Sequence, residues 1–168
     1  MSDASRWTPA LAGAPVRDVL FVCTGNLCRS PLAAALFRKA VLQSGASIEV
    51  ASAGLFAAEN APPPWEVIQL GKEEGVDLSR HAACPVSRAL FAQADLVIAM
   101  EPGQCDVLRS LYGEEEGKLH LLGDFTGAGA RGREIADPFD RSIADYRTCL
   151  EEIRAAIAGL LRALGAPR

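Results

Sequence analysis

The chain predicts an α/β domain, a four-stranded parallel sheet with helices on both faces. Three observations lead there. The apolar runs are short and unbroken, the pattern of strands covered on both faces rather than on one. Each run is followed by a segment of helical period, so strands and helices alternate, and that order closes into a parallel sheet through right-handed crossovers. With 168 residues, 49% of them hydrophobic, the chain can bury one core and needs no second domain.

Residues 1–15 are rich in Ala, Pro and Gly and carry no period, which reads as a flexible N-terminal arm ahead of a domain spanning 16–168. Trp7 is the arm's candidate for docking. Residues 19–22, Val-Leu-Phe-Val, form the first strand. Pro31 suits the first turn of a helix, where its fixed φ is already helical and its missing N–H has no intrahelical partner. That helix runs to about residue 43 and stops at Ser44-Gly45. Its apolar positions go most of the way round, so it should lie buried against the sheet.

Residues 48–50 form a second strand entering Ser52-Ala53-Gly54, and Pro62-Pro63-Pro64-Trp65 opens a helix over 66–74 that Gly75 closes. We expect it on the opposite face of the sheet from the first helix. A short helical piece at 88–91 precedes a third strand at 95–100, which Glu101-Pro102 ends. Another helix runs to about 111, and 118–122 is the fourth strand. Residues 123–136 hold four Gly and no hydrophobic period. A loop this long inside a compact domain usually serves function. Beyond it, Ser142 and Asp145 have capping-box spacing, and apolar residues at 143, 146, 150, 153, 157, 160, 161 and 164 make a one-sided stripe that packs on the sheet.

Charge excludes one class of partner. The net charge is −4, and the 14 Arg and 3 Lys are scattered rather than striped, so a nucleic acid is not expected. No apolar run approaches membrane-spanning length, and the first 15 residues lack a basic start followed by an apolar stretch, so no membrane partner is expected either. Five irregularly spaced Cys, an odd number, fit reduced thiols in a cytoplasmic monomer.

The chemistry concentrates in Cys23-Thr24-Gly25-Asn26-Leu27-Cys28-Arg29-Ser30, between the first strand and the first helix. Such a loop can turn successive backbone N–H groups inward, here those of Thr24, Gly25, Asn26, Leu27, Cys28 and Arg29, while the helix adds its positive end. A phosphate fits there without metal or other cofactor. Gly25 supplies the freedom for a tight curl, and Asn26 is the next most tolerant of a left-handed conformation. Arg29 can come back across the loop and clamp two oxygens with its planar fork. Everything that holds a dianion there also favours thiolate at Cys23, which makes that residue the candidate nucleophile. Two small core thiols in an ordinary turn are the plain alternative. A zinc pair is disfavoured, because CxxxxC is not a usual ligand spacing and only two His exist to complete a site.

This stretch resembles the signature loop of the low-molecular-weight protein-tyrosine-phosphatases. Ser52-Ala53-Gly54 and Asp137-Pro138-Phe139 match two further elements of that family, and residues 16–164 can be laid along its pattern. The resemblance implies a phosphorylated protein or peptide as substrate and a cysteinyl-phosphate intermediate on Cys23. Arg29 and the loop would bind the phosphate, and Asp137 would serve as acid and then as base. It further implies that Ser30 donates to the Cys23 sulfur and that Ser52, Asn26, Ser30 and His81 brace the loop through hydrogen bonds. Leu27, Phe56 and Phe139 would line a slot for a flat ring. Cys28, in the same loop, is the candidate redox partner of Cys23.

Three other readings compete. Ser52-Ala53-Gly54-Leu55-Phe56-Ala57 and Asp137-Pro138-Phe139 look like the protein-arginine-phosphatase branch of the family, but that branch has Thr where this chain has Leu27. An arsenate reductase needs two further thiols seven positions apart; Cys84 is followed seven later by Phe91, and Pro31 replaces that group's Gln. A non-catalytic phosphate binder would have no use for both Cys23 and Asp137.

Overall fold

A computed structural model describes residue 11 and residues 15–113, 117–127 and 129–165. Most of the N-terminal arm, Trp7 included, lies outside the described residues. The elements are β1 (Asp18–Cys23), α1 (Arg29–Ser44), β2 (Glu49–Gly54), α2 (Trp65–Glu73), α3 (Arg88–Gln93), β3 (Leu96–Ala99), α4 (Pro102–Tyr112), β4 (Leu119–Leu121), a 3-10 turn (Leu122–Thr126) and α5 (Ile143–Ala163). All strand pairs are parallel, in the order β2-β1-β3-β4.

This order places the site. The chain leaves β1 for β2 on one side and then crosses back to β3 on the other, so the connections part at the carboxyl end of β1. Open α/β sheets bind ligands in the crevice that forms at such a point. In register, Cys23 lies beside Gly54, and Val22 lies beside Ala99.

Alternation along β1 sorts the core. Val19, Phe21 and Cys23 face α1 and α5, while Leu20 and Val22 face the layer that contains Phe91, Cys105 and Leu108 of α3 and α4. Contrary to expectation, α2 does not cover the second face. Its Val67 and Leu70 are buried in the same cluster as α1 and α5. The crossover from β2 to β3 runs opposite to that from β1 to β2, so right-handedness requires only one helix on the second face, and α3 supplies it. Freed from the sheet, α2 packs on α5, where Arg147 pairs with Glu73 at 2.9 Å.

Element ends moved by a few residues. α1 begins at Arg29, two residues before Pro31, and ends where Gly45 turns left-handed at φ 72°. β2 runs on through the Ser52-Ala53-Gly54 segment instead of stopping before it. Ser142 caps α5 as its spacing predicts, accepting from the Asp145 N–H, but Ile143 falls outside the buried stripe. Residues 123–136 are anchored at both ends, by the 3-10 turn and by Ile135, which is fully buried.

Candidate active site

β1 delivers Cys23 to the rim of the sheet, buried, and the loop after it folds back over the sulfur. Asn26 is the residue that makes this possible. It takes the left-handed conformation at φ 54°, a role expected first of Gly25, and its N–H donates to Cys23 Sγ at 3.2 Å. Ser30, in the first turn of α1, puts its hydroxyl 3.0 Å from the same sulfur. The sulfur thus lies between a backbone N–H and a hydroxyl.

The Asn26 side chain is fully occupied. Its Nδ2 donates to Ser30 Oγ at 2.8 Å and to Ser52 Oγ at 2.9 Å, and its Oδ1 accepts the Cys84 N–H at 2.9 Å. His81 Nε2 donates to the Asn26 carbonyl at 2.7 Å. The bracing group of Asn26, Ser30, Ser52 and His81 therefore assembles around one amide. β2 comes close enough that a methyl group on Gly54 would stand 2.8 Å from both Asn26 N and Thr24 O. Only glycine leaves room for the loop there.

Arg29 is 1% exposed, the largest fully buried side chain among the described residues. Its Nη1 donates to Glu101 Oε1 and, at 2.9 Å, to the Ile135 carbonyl; its Nη2 donates to Asp137 Oδ2 at 3.0 Å. Burial works against the charge, but the bond to Glu101 and the carboxylate of Asp137 outweigh it and hold the guanidinium above its ordinary pKa. The Asp137 loop is shaped locally, with the Phe139 N–H on Asp137 Oδ1 at 3.1 Å and the Arg141 N–H on the Pro138 carbonyl.

A cavity of about 160 Å³ is lined by Cys23, Thr24, Gly25, Leu27, Cys28, Arg29, Asp137 and Phe139. A groove of similar volume at the amino ends of β1 and β2 contains neither thiol nor arginine. Of the residues expected around a ring slot, the structure brings Leu27 and Phe139 to the cavity but not Phe56, which is 75% exposed. The Leu55 and Phe56 N–H groups bond the Cys23 and Thr24 carbonyls, so the backbone hugs the loop while the Phe56 ring stays in solvent. Cys28 is buried just before α1, and burial, with the nearby Asp137 charge, pushes its thiol up to about 12. It therefore remains protonated at neutral pH.

Sequence reasoning missed three members of this site. Glu101 read only as the end of the third strand, Gln104 was not singled out within the helix that follows, and the Ile135 carbonyl has no side-chain signature. Their Glu-x-x-Gln spacing is a capping box, which was the available signal. Among the described residues no group of three His, Cys, Asp or Glu is placed to hold a metal ion.

A nucleophilic sulfur, a buried guanidinium and a carboxyl group around one anion-sized cavity can transfer a phosphoryl group by covalent catalysis. Comparison with known proteins agrees. Residues 18–168 match the model of the low molecular weight phosphotyrosine protein phosphatases. The chain is 33% identical over 147 residues to the protein-arginine-phosphatase of Bacillus subtilis, covering 88% of this chain and 96% of that one. It is 37% identical over 154 residues to the low molecular weight protein-tyrosine-phosphatase of Streptomyces coelicolor, covering 87% and 92%. The crystal structure of the Erwinia amylovora tyrosine phosphatase AmsI superposes with a TM-score of 0.82 at 29% identity, covering 91% and 96%. With the loop, the arginine, the aspartate loop and the strand order in place, the chain belongs to the low molecular weight phosphotyrosine protein phosphatase family and is a cysteine-dependent phosphatase.

Proposed function

We propose that this enzyme removes phosphate from phosphotyrosine in proteins, with Cys23 as nucleophile, Arg29 as phosphate clamp and Asp137 as proton donor. The observation that carries the reading is that these three side chains line one cavity together with Leu27 and Phe139. The Cys23 thiolate attacks phosphorus in line, and the N–H groups of Thr24, Gly25, Leu27, Cys28 and Arg29, with the Arg29 fork, take the charge on the equatorial oxygens. Asn26, expected among them, instead turns its N–H to the Cys23 sulfur and lies outside the cavity lining. Asp137 protonates the departing phenolic oxygen, then activates water against the cysteinyl-phosphate. Ser30, 3.0 Å from the sulfur, eases its departure in that second step.

Relatives of both substrate classes have similar identity to this chain, so the choice between them rests on the cavity. Leu27 and Phe139 offer apolar surface to an aromatic ring, worth about 1–3 kcal/mol of selectivity. Phosphoarginine would set a hydrogen-bonding guanidinium against Leu27, with its donors short of partners. We expect kcat/KM for phosphotyrosine peptides to exceed that for phosphoarginine peptides by about tenfold or more, and Leu27→Thr to narrow the ratio. A parental enzyme that cleaves phosphoarginine as well as phosphotyrosine would overturn this choice and favour the arginine branch.

Cys28 fits the part of redox partner. Peroxide converts the Cys23 thiolate to a sulfenic acid, and the Cys28 thiol condenses with it to a disulfide, releasing water. Mass spectrometry of peroxide-treated enzyme should show a thiol-recoverable Cys23–Cys28 link; sulfonic acid at Cys23 as the main product would exclude that part. The odd number and irregular spacing of its five cysteines support a cytoplasmic enzyme with reduced thiols, and we propose that it works there as a monomer. Among the described residues no helix is long and apolar enough to cross a membrane.

A further inference from the structure

We propose that the first turn of α4, which lies outside the phosphate loop, sets the aim of Arg29, and that Glu101 is the positioning residue. The inference rests on the reading of Arg29 as phosphate clamp. A guanidinium is a flat fork whose donors point in fixed directions, so fixing one nitrogen through two partners on different elements fixes the plane of the whole group. Arg29 Nη1 is held in this way, by Glu101 at the junction of β3 and α4 and by the Ile135 carbonyl ahead of the Asp137 loop. Nη2, already against Asp137, is then carried on the side of the cavity.

Gln104 makes the turn rigid. It is 4% exposed, and its Oε1 accepts the Met100 and Glu101 N–H groups at 2.9 and 3.2 Å. Its Nε2 donates to Thr24 Oγ1 at 3.1 Å. The same helical turn thus holds Thr24 near the start of the phosphate loop and Arg29 at its end. Pro102 at the head of α4 stiffens the connection further, because its φ is fixed.

Glu101 acts on a bound dianion in two opposed ways. Its negative charge beside the cavity weakens resting affinity for phosphate, while its grip on Arg29 improves the alignment that the transition state needs. The two effects separate in Glu101→Gln, which keeps the side-chain length and an oxygen for the cap but removes the charge. With p-nitrophenyl phosphate its kcat should fall about tenfold or more, while the inhibition constant for inorganic phosphate stays level or tightens. Glu101→Asp, which keeps charge and cap, should recover most of the lost kcat. If kcat in Glu101→Gln stays within twofold of the parent, if phosphate binding weakens in step with kcat and Tm, or if Glu101→Asp is as impaired as Glu101→Gln, the positioning role is overturned. Arg29→Ala tests the reading beneath. Near-parental kcat and phosphate affinity there would remove the clamp itself, whereas loss in Arg29→Ala beside a normal Glu101→Gln would remove only the role of Glu101.

Discussion

Replacing Asn26 by Gly and by Ala separates the two things this residue does. Its side chain makes three hydrogen bonds, to Ser30 Oγ, Ser52 Oγ and the Cys84 N–H, and its backbone sits at φ 54°. Asn26→Gly keeps the left-handed turn without strain and loses the bonds. At roughly 1 kcal/mol net for each, the loss comes to about 3 kcal/mol. Asn26→Ala loses the same bonds and adds the cost of a Cβ in the left-handed region, about 1 kcal/mol more. Urea unfolding should therefore rank the parent above Asn26→Gly and Asn26→Ala last. Turnover should fall in both variants, since the N–H of residue 26 and the hydroxyl of Ser30 that hold the Cys23 sulfur are both set by this amide. If Asn26→Ala is as stable as Asn26→Gly, the left-handed turn carries no strain worth the name. If both match the parent, the bracing network does not hold the loop.

Gly54→Ala brings a methyl group within 2.8 Å of Asn26 N and Thr24 O and 2.9 Å of Ala57 Cβ, so the phosphate loop must move. We expect a loss of about 1–3 kcal/mol in stability and a larger fall in kcat than in Tm would suggest, and unchanged kinetics would refute the close approach. Burial pushes Cys28 and Cys149 up to about 12 and Cys105 up to about 11, from an ordinary 9.0. The folded state then keeps these protons after the unfolded chain has begun to release them, so the stabilisation is complete below pH 9 and falls as pH rises toward 11–12. Each thiol adds a slope of about 1.4 kcal/mol per pH unit across that window. A Cys105→Ala, Cys149→Ala double variant, unfolded in urea at a series of alkaline pH values, should show a flatter decline; an unchanged slope would mean that other groups drive it.

Much of the fold was legible because its signals are local. Continuous apolar runs, Pro31 and Pro102 at helix starts, Gly45 and Gly75 at helix ends and the Ser142 cap depend on a few adjacent residues, and each stands where its chemistry requires. The phosphate loop was legible for the same reason, since a buried strand, a curl and a helix start follow one another within a dozen residues. The side on which α2 packs was not legible. Its apolar face could serve either layer, and the direction of the chain across the sheet decided the matter.

By itself the sequence determined the class of fold and the candidate phosphate loop, because strand, helix and anion-site chemistry are written in consecutive residues, whereas Asp137 became a candidate partner of Cys23 only through the family resemblance. Only the tertiary structure decided that Asn26 rather than Gly25 makes the left-handed turn, and that Phe56 stays outside the cavity. It alone brought Glu101, Gln104 and the Ile135 carbonyl to the loop and to Arg29. Those contacts join residues 72, 80 and 106 positions apart, a separation over which neither period nor spacing leaves a trace. Where a buried guanidinium finds its partners depends on how the sheet is wound, and that is a property of the whole core.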